Sequence, residues 1–237
     1  MNYRYIDDQN FEDLASGRVI YHRSGLPNFP VRLAGEIFMT CLELCGQPKA
    51  VLYDPCCGGA YLLTALGFLC GEHIASIYAS DISDEARSLA QENLNLLTPQ
   101  GLERRRAQLQ AIHNELGKNS HLDALESVAR LNERISRHPQ INSTIFPANI
   151  MDATALHNAP FKADIVFADV PYGNLASWSE HDISAIDKLL DAIIPVLNDD
   201  SVVAISSDKS QKITNLRYRR VRKILVGKRK IELLRKE

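Results

Sequence analysis

Two short stretches of the chain gather side chains suited to chemistry. The first is Val51-Leu52-Tyr53-Asp54-Pro55-Cys56-Cys57-Gly58-Gly59-Ala60, an apolar run that ends in a carboxylate and breaks into a turn of small residues before the apolar stretch Tyr61 to Cys70. It reads as strand, loop and buried helix. Open α/β sheets bind ligands at the carboxyl ends of their central strands, and a small-residue turn there lets the backbone come close to a nucleotide-like molecule. The second is Ala163-Asp164-Ile165-Val166-Phe167-Ala168-Asp169, another strand ending in a carboxylate, which leads into Val170-Pro171-Tyr172-Gly173. Asp169, a backbone carbonyl held by the rigid Pro171 and the aromatic face of Tyr172 are the parts needed to hold a planar base by its amino group. The plainer reading of Pro-Tyr-Gly is an ordinary turn after a strand. Its place one strand away from the small-residue loop favours the functional reading.

The first loop narrows the cofactor. A dinucleotide site would need Gly-x-Gly-x-x-Gly in this turn, so a nicotinamide cofactor is not expected. A loop for S-adenosylmethionine usually has an acidic residue and then three glycines at alternate positions. Here Asp54 holds the acidic place and Gly58 the middle glycine, while Cys56 and Ala60 replace the outer two. Gly-Gly turns after strands are common, so the loop needs support from elsewhere. Ser76 to Asp81 supplies it, a second strand whose terminal carboxylate is placed to accept hydrogen bonds from both hydroxyls of a ribose, with Ile82 beside it. The alternative is that Asp81 caps the helix starting at Asp84, a task Ser83 could perform as well. A third strand, Ile141 to Ile150, ends near Asn149 and Asp152, where an adenine ring would lie and the Asn149 carbonyl oxygen could accept from its amino group. The expected cofactor set is therefore Asp54, Pro55, Cys56, Gly58, Gly59, Ala60, Tyr61, Asp81, Ile82, Asn149 and Asp169.

These residues must be positioned by the rest of a 237-residue chain, long for one domain but within range for one α/β domain with an insertion. Residues 1–50 read as an N-terminal arm and a helix on the core, and 51–237 as the main domain with a helical insertion over 100–139. The bend Leu26-Pro27-Asn28-Phe29-Pro30 precedes a helix from Val31 to Leu44. Arg32 falls in its first turn, read either as a link to a cofactor carboxylate or RNA phosphate or, more plainly, as a solvated helix residue. In the insertion, Leu122, Leu125, Val128, Ala129, Leu131 and Ile135 follow helical spacing, and Arg104-Arg105-Arg106 reads mostly as a solvated face. A helix from Asp182 to Leu197 and a fifth strand from Ser201 to Ser206 follow, with Trp178, either buried or stacked on nucleic acid, in the loop before them.

Net charge is -2 (27 basic, 29 acidic), so any polyanionic partner must be recognised by local clustering. Such clustering lies at the C-terminus, where ten Lys and Arg between Arg217 and Lys236 face Glu232 and Glu237. Val221 to Gly227 and Lys228 to Leu234 read as an edge hairpin. Basic residues guard a sheet edge against aggregation, but this excess goes further and points to an RNA-facing patch that includes Lys228, Arg229 and Lys230. The five cysteines are odd in number and lie among apolar residues, which suits reduced thiols in a cytoplasm. Cys41 and Cys45 have no second ligand pair, so they read as core and no metal is expected. No apolar run reaches the ~18 residues of a membrane span and no secretory h-region follows Met1, so a soluble, cytoplasmic protein is expected.

On these motifs the chain resembles the avilamycin-resistance rRNA methyltransferases, a branch of the class I S-adenosylmethionine-dependent enzymes. The resemblance covers nearly the whole length. It is carried by Phe29-Pro30-Val31-Arg32-Leu33-Ala34 with Glu36-Ile37-Phe38, by Asp54-Pro55-Cys56-Cys57-Gly58 with Tyr61-Leu62-Leu63-Thr64, by Ala79-Ser80-Asp81, and by Asp169-x-Pro171-Tyr172-Gly173. It implies a Rossmann-like α/β fold with a seven-stranded, mostly parallel sheet, helices on both faces and a C-terminal antiparallel hairpin. It also implies the methionine part of the cofactor at Asp54 to Ala60, its ribose on Asp81, and the target base at Asp169, Pro171 and Tyr172. The implied substrate is a guanine (N2 or N1) of large-subunit rRNA, free or in the ribosomal particle, with a monomer as the expected state. Gly59-Ala60 stands where the family tends to have Ser-Gly, and Asn149 where an acidic residue is expected. Asp-Pro-Pro-Tyr-like signatures also serve methyltransferases of DNA or protein amines, and a non-catalytic RNA-binding module is the alternative of a different class.

Overall fold

The computed structural model describes residues 3–22, 28–170 and 185–237. A short helix α1 (Glu12–Ala15) and a long α2 (Val31–Cys45) precede β1 (Ala50–Asp54), α3 (Tyr61–Cys70), β2 (Ile74–Asp81) and α4 (Asp84–Asn95). Helices α5 (Pro99–Leu116) and α6 (Asn119–Ile135) intervene before β3 (Asn142–Pro147) and β4 (Ala163–Asp169). Then come α7 (Ala185–Ile193), β5 (Leu197–Asp208), β6 (Tyr218–Val226) and β7 (Arg229–Lys236). The strands form one sheet of seven in the order β3-β2-β1-β4-β5-β7-β6. Neighbours from β3 to β5 are parallel, and β7 runs antiparallel to both β5 and β6. This is the expected Rossmann-like sheet. The order turns back between β1 and β4, so the crevice of a doubly wound sheet opens there, at the carboxyl ends.

The central strands are apolar on both faces because both faces are covered. Leu52, Ile165, Phe167, Val202 and Ala204 belong to one buried cluster with α2 and α3, while Tyr53, Val166, Ala168, Val203 and Ile205 belong to another with α7. Such strict alternation is the period-two geometry of a strand read twice. Gly46, left-handed at φ 67, ends α2 with its N–H on the carbonyls of Leu42 and Glu43. Among the described residues no helix is long and apolar enough to cross a membrane, and no group of three His, Cys, Asp or Glu could hold a metal ion.

Several expected boundaries shift for identifiable reasons. The helix expected to reach Leu197 stops at Ile193, where a 3₁₀ turn over Ile194–Val196 takes in Pro195, so Leu197 already belongs to β5. Its expected start at Asp182 lies outside the described residues. The third strand stops at Pro147, three residues short of Ile150, because proline cannot donate to a ladder. In α6 the inward face carries Ala124, Ser127, Val128, Leu131 and Ile135, whereas Leu122 and Ala129 face outward. The largest shift concerns the C-terminal hairpin, which is only half an edge. β7 is inserted between β5 and β6 and pairs with both, leaving β6 alone at the rim.

Candidate active site

Strands β2, β1 and β4 lie side by side and end in Asp81, Asp54 and Asp169. Between them stands the loop from Pro55 to Ala60. Its shape is fixed by its neighbour β2: the Cys57 N–H donates to the Ser80 carbonyl at 3.0 Å, the Ser80 hydroxyl to the Pro55 carbonyl at 3.1 Å, and the Gly58 N–H to Asp81 Oδ2 at 2.9 Å. The Tyr53 hydroxyl, on the buried side of β1, lies 2.8 Å from the same Ser80 oxygen. Gly58 is left-handed at φ 52, and Ala60 takes the same region at φ 53 where a glycine would be easier. A Cβ on Gly58 would meet nothing within 4 Å, so open space lies over the loop, whereas one on Gly59 would strike Leu89 at 2.7 Å. A side chain on Gly59 would have to displace Leu89 of α4, while Gly58 serves the turn.

The three carboxylates differ in what they are given. Asp54 is 3% exposed and, among the described residues, accepts only from Cys56, whose backbone N–H lies 3.1 Å from Oδ1. Burial, with Asp169 and Asp81 as further negative neighbours, pushes its carboxyl up to about 8. The thiol of Cys56 feels the same three carboxylates and is pushed well up by burial and by them. Asp169 is also raised by burial, opposed by the Ser206 hydroxyl and the charge of Arg229, whose guanidinium lies 3.8 Å from Oδ2. Its Oδ1 is buried with no hydrogen-bond partner among the described residues. Asp81 is more open and accepts from Gly58 through Oδ2 and, at 2.9 Å, from Ser83 through Oδ1. The cap of α4 is Ser83, whose hydroxyl accepts from the Ala86 N–H at 3.2 Å, so Asp81 is spared that task. Beside it Ile82 is 68% exposed, a large apolar side chain without apolar cover.

Other expected residues are placed less centrally. Tyr61 opens α3 and donates its hydroxyl to the Leu14 carbonyl at 2.8 Å, so it ties the arm to the cofactor loop's helix. Asn149 is exposed, and its side-chain oxygen caps its own turn through the Met151 N–H at 3.1 Å. Arg32 holds the arm too: Nε donates to the Ile6 carbonyl at 3.0 Å, the guanidinium pairs with Asp8 at 3.1 Å, and it covers the Tyr3 ring. Lys230 is 5% exposed and pairs with the buried Glu232 at 2.8 Å, Arg229 faces Asp169, and of the three only Lys228 is exposed. Pro171, Tyr172 and Trp178 lie outside the described residues.

Residues 1–229 match the family described as rRNA methyltransferase AviRa. A curated relative from Streptomyces viridochromogenes, a 23S rRNA (guanine(2535)-N(1))-methyltransferase, is 36% identical over 229 residues, which cover 94% of this chain and 91% of the relative. The chain belongs to the AviRa family of rRNA methyltransferases. A solved structure of the rRNA methyltransferase AviRa from Streptomyces viridochromogenes superposes with a TM-score of 0.89 at 34% identity, covering 99% of this chain and 96% of that one. At 14% identity a putative methyltransferase, yhhF from Escherichia coli, shares the fold alone, with a TM-score of 0.52 and coverage of 90% and 89%.

Membership makes the chain an S-adenosylmethionine-dependent rRNA methyltransferase, and the edge of the sheet fits that cofactor. Open space over Gly58, the exposed Ile82 beside Asp81 and the Oδ1 of Asp169, without a partner among the described residues, are features that a bound nucleoside and an N–H donor would complete. Two buried polar residues of this AviRa-family chain, one holding the loop and one holding the N-terminal arm, escape sequence reasoning. Asn93, fully buried in α4, donates to the Gly59 carbonyl and to the Tyr21 carbonyl and accepts from the Tyr21 N–H, each at 2.8 Å. Glu36, on the buried face of α2, gathers the N–H groups of Arg4, Tyr5 and Ile6. The one available signal was a glutamate amid Leu33, Ala34, Ile37 and Phe38, a charge on an apolar face.

Proposed function

We propose that this chain methylates N1 of a guanine in large-subunit rRNA. The reading is carried by one observation: a buried carboxylate oxygen of Asp169, unpartnered among the described residues, at the edge where Asp54 and Asp81 also end. The relative from Streptomyces viridochromogenes, which acts on a guanine N1 of 23S rRNA, supports this choice of substrate.

In this reading Asp81 takes the ribose hydroxyls, Ile82 lies against the adenine, Asn149 accepts from its amino group, and Asp54 with residues Pro55, Cys56, Gly58, Gly59, Ala60 and Tyr61 forms the cradle of the methionine part. S-adenosylmethionine, when bound, supplies a methyl carbon on a sulfonium, open to attack by a nitrogen lone pair with loss of a neutral thioether. What the chain must supply is that lone pair and its alignment. Guanine N1 carries a proton, so the acceptor is poor until the proton leaves. Asp169 Oδ1 accepts it, and the raised carboxyl makes Asp169 a better base than a solvated aspartate. For the exocyclic N2 the same oxygen and the Val170 or Pro171 carbonyl would take the two N–H groups instead. Tyr172 offers a flipped base a face worth about 1 to 3 kcal/mol, comparable to the cost of unstacking it. Arg219, Arg222, Lys223 and Lys228, all exposed on β6 and the hairpin tip, form the RNA-facing charge.

The test is transfer of labelled methyl from S-adenosylmethionine to rRNA, DNA and protein pools by the purified chain, followed by mass spectrometry of digested rRNA. A label on guanine with a 1-methyl signature is expected. Label in DNA or protein alone, or an rRNA-binding chain that transfers no methyl, would overturn the reading.

A further inference from the structure

Arg229 was read in the sequence as one of a run of cations for RNA, and the structure gives it a different neighbourhood. It opens β7 at the carboxyl edge, opposite Asp208 of β5 and Val226 of β6. Its side chain is 15% exposed, its guanidinium carbon lies 4.9 Å from the centroid of the Phe29 ring, and its Nη2 is 3.8 Å from Asp169 Oδ2. Phe29 is itself buried and packs edge-on against Phe167 of β4 at 5.5 Å and 85°. A phosphate ligand reaches into solvent, as the exposed Lys228 does. Arg229 instead rests on an aromatic floor beside a carboxylate.

Resting on the methyl-transfer reading above, we infer that Arg229 is the positioning residue of Asp169: from β7 it engages one carboxylate oxygen and keeps Asp169 an anion, so that the other oxygen accepts the substrate's N–H. The groups that face Asp169 make such a partner necessary. Among the described residues, Asp54 and Cys56 come from β1 and its loop, the Ser206 hydroxyl from β5, and from β7 Arg229, the cation of this group. Asp81 of β2 adds negative charge at Asp54 and Cys56, and Asp208, beside Arg229, is held by Ser210 with Lys209 and Lys228 nearby. Burial favours a protonated Asp169, which would present a donor where an acceptor is needed.

The test compares the wild-type chain with Arg229→Met and Arg229→Lys. Single-turnover methyl transfer to an rRNA fragment, at saturating S-adenosylmethionine, should lose rate on the acid side as Asp169 takes a proton. In Arg229→Met that limb should move to higher pH by roughly one unit, which costs about fivefold in rate at the old midpoint, approaches tenfold well below it and recovers at alkaline pH. Arg229→Lys should lie between, since it keeps the charge without the planar fork. Affinity for RNA and the slope of its salt dependence should not change. A limb that stays in place while affinity falls and the slope drops by about one would make Arg229 a phosphate ligand and overturn the inference. If Arg229→Met fails to fold by circular dichroism, Arg229→Lys decides on the same two readouts. Carboxyl ¹³C NMR, with the Asp169 signal assigned from Asp169→Asn, gives a readout that needs no turnover. A midpoint that rises in the Arg229 variants supports the pairing even if the wild type methylates nothing, and an unmoved midpoint overturns it even if methylation proceeds.

Discussion

Glu36 and Asp54 are buried almost equally, at 2% and 3% exposure, and are treated in opposite ways by their surroundings. Glu36 receives three backbone N–H groups, from Arg4 at 2.6 Å, Tyr5 at 2.9 Å and Ile6 at 3.1 Å, and in return fixes the N-terminal arm on α2. Among the described residues Asp54 receives only what Cys56 offers, and it has two other carboxylates for neighbours. The contrast recurs along a single strand. At the start of β4, Asp164 has both oxygens filled, by the Val51 N–H at 2.8 Å and the Asn198 amide at 2.7 Å, while at its end Asp169 keeps a buried oxygen without a partner among the described residues. A buried carboxylate satisfied by its own chain is a fastening. One left short of donors at the carboxyl edge of a doubly wound sheet costs stability and is completed by a ligand.

The comparison is broken most directly at the two carboxylates farthest apart in role. Asp169→Asn should lower methyl transfer by about 10²- to 10⁴-fold, the range for loss of a positioned base, while the unfolding midpoint holds or rises because an under-satisfied buried charge is gone. Quench-flow turnover and urea titration on the same preparation measure both. Glu36→Ala should do the reverse. It strands three N–H groups and should cost about 3 kcal/mol of stability in urea, with turnover of the folded fraction little changed. Equal loss of stability in both variants would mean that the two kinds of carboxylate do not differ.

Asp54 sharpens the contrast through pH. A solvated or unfolded aspartate titrates near 3.9. The folded, ligand-free chain raises this carboxyl to about 8, so it carries a proton there that the unfolded chain lacks, and its stability should fall as pH rises through that window. A cationic ligand favours the ionised form. Binding of S-adenosylmethionine should therefore release a proton below about pH 8, and affinity should rise by up to roughly tenfold per unit until that pH and then level off. Calorimetry in buffers of different ionisation enthalpy counts the protons. In Asp54→Asn the profile should be flat; a wild-type profile that is already flat would detach Asp54 from the ligand.

The legible and illegible residues divide along the same line. Asp54, Asp81 and Asp169 could be found in sequence because each closes an apolar run that can only be a buried strand, and parallel strands deliver their last residues to one edge. Five strands were legible as such stretches and two more as a hairpin around Gly227, while the seven-stranded, mostly parallel sheet came from the family resemblance. Lys230 and Arg229 were misplaced because composition counts charges without knowing register: once β7 lies inside the sheet both of its faces are covered, so successive residues of a basic run turn to opposite faces and find Glu232 and Asp169. Asn93 was hidden by chemistry of the opposite kind. A polar residue in an amphipathic helix looks like a solvated one, and only the contact with Gly59, 34 residues away, shows that it faces the loop. Arg32 likewise declares itself only through Ile6 and Asp8, on an arm whose path no local pattern dictates.

Ala60→Gly is the smallest effect and tests whether carboxylates or loop residues matter more at this edge. Ala60 sits left-handed at φ 53 and ψ 28 ahead of α3, a conformation that costs a residue with a Cβ about 1 to 2 kcal/mol. Glycine would relieve that strain. It would also lose a fully buried methyl worth about 0.8 kcal/mol and add about 0.5 to 1 kcal/mol of chain entropy to be lost on folding, so stability should change by less than about 1 kcal/mol. The loop is held from outside its own side chains, by Ser80, Asp81 and Asn93 acting on Cys57, Pro55, Gly58 and Gly59. None of those contacts depends on the Ala60 methyl. Affinity for S-adenosylmethionine should accordingly stay within about threefold, less than 1 kcal/mol. A tenfold change, matching the span expected of Asp54, would move the source of affinity from the under-satisfied carboxylates to the backbone strain of the turn.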